Sequence, residues 1–176
     1  MKSKLVGLAA GFVLIFSAGA AHAQFFSIAA DVPLQYEFDS GESGEDVSGF
    51  KLAVNLPILI GFGFEDYTVT RKVAGSPNTE LSFNLFDAFI DLPTPFINIG
   101  LGIGIGKADV VESGGATIYE SASLFQYFVT LGIPFAAVFD IHVGYHQIQG
   151  SANNKSGGQD FKVDGNMVSL GLRFGF

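Results

Sequence analysis

Cysteine and tryptophan are both absent from the 176 residues, and proline and methionine number only six and two. Without thiols the chain has no disulfide framework and no thiolate chemistry, so sheet closure and packing must hold the fold together. Basic residues are also scarce, nine Lys and Arg against 17 Asp and Glu, for a net charge of −8. Two of the nine, Lys2 and Lys4, stand at the very start, so the chain beyond them is more acidic still. That balance argues against nucleic acid as a partner and against docking on anionic lipid as a basic peripheral protein. After residue 23 no apolar run approaches the roughly 18 residues of a spanning helix. What the sequence has in quantity is hydrophobic residues, 48% of the total, with 23 glycines and 19 phenylalanines. Such a composition suits β structure and calls for an apolar environment.

The first residues account for the export of that surface. Lys2 and Lys4 precede an apolar run from Leu5 to Phe16, and Ala21-His22-Ala23 precedes Gln24. A charged start, a short apolar core and an A-x-A site describe a cleavable signal peptide, whereas a membrane anchor needs about 20 apolar residues. The expected organisation is a signal peptide over 1–23 and a single domain over 24–176.

Within that domain the hydrophobic period is two. Phe26, Ile28, Ala30, Val32, Leu34, Tyr36 and Phe38 share one face of the first run, and Ser27, Asp31, Gln35 and Glu37 share the other. Similar alternation marks Phe50 to Leu56, Ile60 to Phe64, Ile97 to Ile105, Phe125 to Ile133, Ala137 to Tyr145 and Val168 to Phe176. One run, ELSFNLFDAFIDL, is ambiguous. Keeping Asp87 and Asp91 off its apolar face requires either Phe83, Leu85 and Phe89 inside or a bulge near Leu85-Phe86. Connections alternate too. Pro57, Pro93, Pro95 and Pro134 mark tight ones, while DSGESGEDVS, TRKVAGSPNTE, KADVVESGGATIYE and QGSANNKSGGQD are long and polar. Short turns at one end and long loops at the other predict an all-β, eight-stranded antiparallel up-and-down transmembrane barrel. Tyr36, Tyr67, Tyr119 and Tyr145 are expected in an outer aromatic girdle, and Phe26, Phe96, Phe135, Phe174 and Phe176 in an inner one. A soluble lipocalin-like carrier also alternates, but an eight-stranded interior is too narrow for this many large apolar side chains.

Ser169, Gly171, Phe174 and Phe176 form a polar-x-Gly-x-x-aromatic-x-aromatic ending. This resembles the assembly signal of bacterial outer-membrane barrels, and the domain as a whole resembles the small OmpA/OmpX/OmpW-like class. The resemblance implies a Gram-negative outer-membrane location. It also implies recognition of the last strand by the barrel-assembly machinery, periplasmic chaperones in transit, and lipid and lipopolysaccharide as surroundings.

On the lumen side, Gly61, Gly63, Gly100, Gly102, Gly104 and Gly106 leave room for Phe83, Leu85, Phe89 and Phe128 as an apolar wall. The opposite wall is expected to carry an ionic network of Asp31, Glu37, Lys51, Asp140, His142 and Arg173, in which Lys51 and Arg173 bridge the acids. That picture favours a structural or loop-display barrel with a plugged lumen. A passive channel or pocket for a small hydrophobic molecule, as the OmpW-like resemblance implies, is the alternative. A lipid-modifying enzyme finds little support, because His142 and His146 lie about 13 Å apart along one strand and no Ser or acid stands at motif spacing from either. No cofactor or metal site is expected. GLGIGIG lacks the G-x-G-x-x-G spacing, Asn154-Lys155-Ser156 is only formally a glycosylation acceptor, and the acids Asp39, Glu42, Glu45 and Asp46 lack EF-hand order.

Overall fold

The computed structural model describes residues 26–73, 75, 78–94, 96–112, 119–136 and 138–175. The signal segment 1–23 and Phe176 lie outside the described residues. Among the described residues nine strands follow in order: β1 (Ser27–Phe38), β2 (Gly44–Asn55), β3 (Ile60–Arg71), β4 (Thr79–Pro93), β5 (Asn98–Glu112), β6 (Ala122–Ala136), β7 (Phe139–Ala152), β8 (Phe161–Lys162) and β9 (Gly165–Gly175). Each long strand pairs antiparallel with its neighbour, β7 pairs with β9, and β9 pairs with β1. The result is a closed eight-stranded barrel, with the two-residue β8 added to the outer end of β7.

Alternation fixes which side chains face out. Phe62, Phe86, Ile103, Ile105, Ile133 and Leu172 are 55–65% exposed on the outer wall. With the half-exposed Ile28, Val32, Leu52, Leu101, Leu131, Ile141 and Val143 they form an apolar belt that runs around the molecule. Soluble monomers rarely expose contiguous apolar patches beyond a few hundred Å², whereas a transmembrane barrel covers its belt with lipid.

The structure settles β4 and corrects β1. Register along β4 is continuous with both neighbours, so no bulge forms near Leu85-Phe86. Leu81, Phe83, Leu85, Asp87, Phe89 and Asp91 all point inward and Phe86 and Ile90 point out. On β1 the register with β9 shifts between Pro33 and Gln35, which reverses parity for the rest of the strand. Tyr36 and Phe38 are therefore buried in the lumen and Glu37 is exposed, the opposite of the even alternation. Tyr67 is likewise buried, so of the four tyrosines expected in a girdle only Tyr145 is well exposed, with Tyr119 intermediate. At the short-turn end Phe26, Phe96, Phe135 and Phe174 are exposed as expected. Pro134 does not mark a turn, because β6 continues to Ala136 past a register shift.

Candidate functional site

The interior divides along the barrel axis and not between opposite walls. Its outer half is one apolar cluster: Tyr36, Phe38, Tyr67, Val69, Leu81, Phe83, Leu85, Val110, Leu124, Ile148, Val163 and Met167 are buried together. Tyr67 stacks on Phe83 at 4.5 Å and 11°, and the Tyr36 hydroxyl donates to the Val163 carbonyl at 2.6 Å. Bulky interior residues contributed by several strands meet at one level and fill a lumen that, with eight strands, is only just wide enough for side chains.

Below this plug the lumen is ionic. The Lys51 ammonium lies 2.7 Å from Glu65 and 2.6 Å from Asp87, and 3.8 Å from the centroid of the Phe128 ring. The Gln126 amide donates to both acids, at 3.1 Å to Glu65 and 2.7 Å to Asp87. Nearer the short-turn end, His142 is held between Asp31 and Asp140, its Nδ1 3.3 Å from the Asp140 carboxylate. Asn98 donates to that same Asp140. Arg173 pairs with Asp91 at 2.9 Å, and Asn55 donates to the same carboxylate. Every charged group in these clusters is at least nine-tenths buried, so each needs its partner.

Five of the six residues assigned to the ionic network, Asp31, Lys51, Asp140, His142 and Arg173, meet in the lumen. Glu37 does not, since the β1 bulge turns it outward. The partners also differ from expectation. Lys51 takes Glu65 and Asp87, Arg173 takes Asp91, and Asp31 and Asp140 share His142. Glu65, Asp87, Asp91, Gln126, Asn55 and Asn98 complete the network; the acids of β4 become assignable only once its parity is fixed. The apolar wall separates into two levels, with Phe83 and Leu85 in the plug while Phe89 and Phe128 pack with Ala29 and Ala53 among the ions. The glycines opposite them are needed for space: a Cβ on Gly102 would overlap the Phe128 ring, and one on Gly61 the Phe89 ring.

His146 stacks on Phe128 at 5.0 Å, with Nε2 3.2 Å from the Ser169 hydroxyl and Nδ1 3.6 Å from Glu65. Serine, histidine and acid thus stand in series, yet the second gap exceeds hydrogen-bond reach. The backbone flanking Ser169 is paired to β1 on one side and β7 on the other, which leaves no turn of free N–H groups to receive an oxyanion. The arrangement leaves Nδ1 of His146 buried without a hydrogen-bond partner among the described residues.

At the C-terminal strand, Ser169 and Gly171 face the lumen, Gly171 against Asp31 and His142, and Phe174 faces outward with its ring 5.1 Å from Phe139. The outer rim is tied down. Arg71 bonds Glu42 at 3.0 Å and Ser40 at 3.2 Å while lying over the Phe38 and Phe161 rings at 5.2 and 5.1 Å. The Ser40 hydroxyl, and after it Arg71, hold the Glu42 carboxyl below its usual range. Lys72 pairs with Glu45 and Asp46, so three of the four acids of this loop, Glu42, Glu45 and Asp46, are answered by cations.

No family model matches the chain, and no curated protein matches it in sequence. Among solved structures, Neisserial surface protein A (NspA) is similar with a TM-score of 0.60 at 18% identity, covering 86% of this chain and 97% of that one. This chain has the fold of a small eight-stranded outer-membrane β-barrel. Ail, the attachment invasion locus protein of Yersinia pestis, gives a TM-score of 0.49 at 16% identity over 86% and 96% of the two chains. An outer-membrane barrel of this size has an outward apolar band and a side-chain-filled interior, and both are present here.

Proposed function

We propose that this barrel is exported by its N-terminal signal, resides in the bacterial outer membrane and acts there through its outer loops, with no catalytic role and no open lumen. The observation that carries the reading is the apolar plug across the outer half of the barrel, from Tyr36 and Phe38 to Leu85 and Ile148. An ion that reached Lys51 from the short-turn side would meet that plug, which offers it no charged side chain. The rim supports display, because Arg71 between Phe38 and Phe161, the Glu42 bond and the tie from the Asp39 amide to the Asp164 carbonyl at 3.0 Å hold the first and last outer loops together. A preordered surface loses less entropy on meeting a partner. In this reading lipopolysaccharide surrounds the belt, and the last strand, with Ser169, Gly171, Phe174 and Phe176, engages the assembly machinery after chaperoned transit.

Single-channel recording of the refolded protein in a planar bilayer tests the reading. A silent bilayer is expected from wild type. Phe83→Ala together with Leu85→Ala, which removes two large side chains from the plug, is expected to give discrete openings. Openings from wild-type protein would overturn the plugged lumen and favour transport.

A further inference from the structure

The weakest place in the wall lies between β1 and β2. Their ladder has five rungs, Ser27↔Asn55 to Asp31↔Lys51, whereas every other ladder between barrel strands has ten or more. Above Asp31 the two strands next meet at the single bridge Glu37↔Ser43. The unzipped stretch, Val32–Tyr36 facing Gly44–Phe50, spans about 16 Å at ~3.3 Å per residue. Both margins are irregular: Pro33 has no N–H, register shifts at Pro33/Gln35 and at Glu45/Ser48, and Asp46 and Gly49 have φ of 52° and 139°. Open strand edges are costly at membrane depth unless something covers them or they line a cavity.

A cavity does lie there. Pro33, Phe50 and Met167 line its apolar part, and Asp31, Lys51, Glu65, Tyr67 and Ser169 line its polar part. It has a volume of about 10 Å³, room for roughly one water molecule. Phe50 in its lining is exposed in the apolar belt, as are Val32 and Leu34 on either side of Pro33. At its floor one ammonium, Lys51, serves two carboxylates, Glu65 and Asp87. The second oxygen of Glu65 and the hydroxyl of Tyr67 are buried with no hydrogen-bond partner among the described residues. Glu65 is fully buried and Tyr67 is 2% exposed.

We propose that this seam is the mouth of a lateral binding site for a membrane-dissolved amphipath with a cationic amine head and a single apolar chain. The head donates to the free Glu65 oxygen and to the Tyr67 oxygen and supplies the positive charge the cluster lacks. The chain runs out past Pro33, Phe50 and Met167 into lipid. A carboxylate head would meet Asp31 and Glu65 and be repelled; an alcohol would supply a donor without the charge. Widening the unzipped stretch to admit the head breaks no β1–β2 ladder bond. The site borders the plug through Tyr67 and Met167 but opens to the side, so the proposal does not depend on the loop-display reading.

The chain has no tryptophan, so Phe50→Trp provides a single reporter at the mouth. The refolded variant in phosphatidylcholine vesicles is titrated with dodecylamine, dodecanol and dodecanoate. A saturable emission change is expected for dodecylamine, at least tenfold tighter than for dodecanol, with none that saturates for dodecanoate. Adding Glu65→Gln is expected to weaken dodecylamine at least tenfold in a barrel that still shows heat-modifiable migration. Equal responses to the three amphipaths, which is the signature of simple partitioning, or an unchanged affinity in Glu65→Gln would overturn the site. Should Glu65→Gln fail to fold, Tyr67→Phe keeps every charge and is expected to weaken dodecylamine at least threefold; no change there would overturn the site equally.

Discussion

Replacing Lys51 by methionine asks how strongly the barrel depends on a charge it has buried. The ammonium is held at 2.7 and 2.6 Å by Glu65 and Asp87, and its side chain is only 7% exposed. Methionine keeps the apolar stem but leaves two carboxylates facing each other across Gln126. Removing one partner of a buried pair costs about 3–5 kcal/mol, and the lost contact with the Phe128 ring adds about 1 kcal/mol. Protonation of one acid returns part of this, so we expect a net loss of about 4 kcal/mol. At a urea slope of about 2 kcal/mol/M the unfolding midpoint falls by about 2 M. The assay is equilibrium urea unfolding in vesicles, followed by tyrosine fluorescence and by the gel mobility of the folded barrel. Two companions sharpen the result. Lys51→Met with Glu65→Gln and Asp87→Asn removes all three charges and is expected to recover at least half of the loss. Lys72→Met breaks an exposed pair with Glu45 and is expected to leave the midpoint unmoved. A loss below about 1 kcal/mol for Lys51→Met would refute the claim that the lower lumen is a mutually dependent ionic network.

Gly102→Val should be destabilising by about 1–3 kcal/mol through overpacking against Phe128, and Phe128→Leu should rescue part of it; absence of rescue in the double variant would locate the strain elsewhere. The rim should loosen in acid. Because the folded Glu42 carboxyl titrates below its ordinary value of 4.5, its contribution is complete above that pH and disappears as pH falls through the lowered value. Amide exchange of residues 39–43 should accelerate in that window for wild type, while Glu42→Gln should exchange fast throughout; identical pH profiles would remove Glu42 from the rim.

Period two made the fold legible because the outward positions of the belt, such as Leu52, Phe62, Ile103, Tyr127, Val143 and Leu172, are large and apolar, while many of the inward positions between them toward the short-turn end are glycine, small or polar. Parity failed where one residue is inserted. Nothing in the alternation after Leu34 announces a bulge, although Pro33 within a strand is the kind of residue that accompanies one. That single shift removed Glu37 from the network and brought Tyr36 and Phe38 into the plug. On β4 parity was ambiguous because acids and phenylalanines share the inward face. They can do so because they sit at different heights: Leu81, Phe83 and Leu85 in the plug, Asp87 and Asp91 among the ions. Alternation tells inside from outside but says nothing of level, which depends on the stagger of all eight strands around the barrel. Hence alternation alone predicts a lateral division into greasy and ionic walls where the division is axial.

The pairing of β1 also bears on how the barrel comes together in time. Its ladder with β9 has eleven rungs against five with β2, so its main partner is the strand farthest from it along the chain. The first hairpin to emerge is a poor template, and rungs such as Ser27↔Gly175 close a loop of nearly the whole domain, the kind of non-local contact that makes folding slow. The chain must therefore carry β1 incompletely paired until β9 arrives, and the arrival of the last strand is what makes the first one a strand.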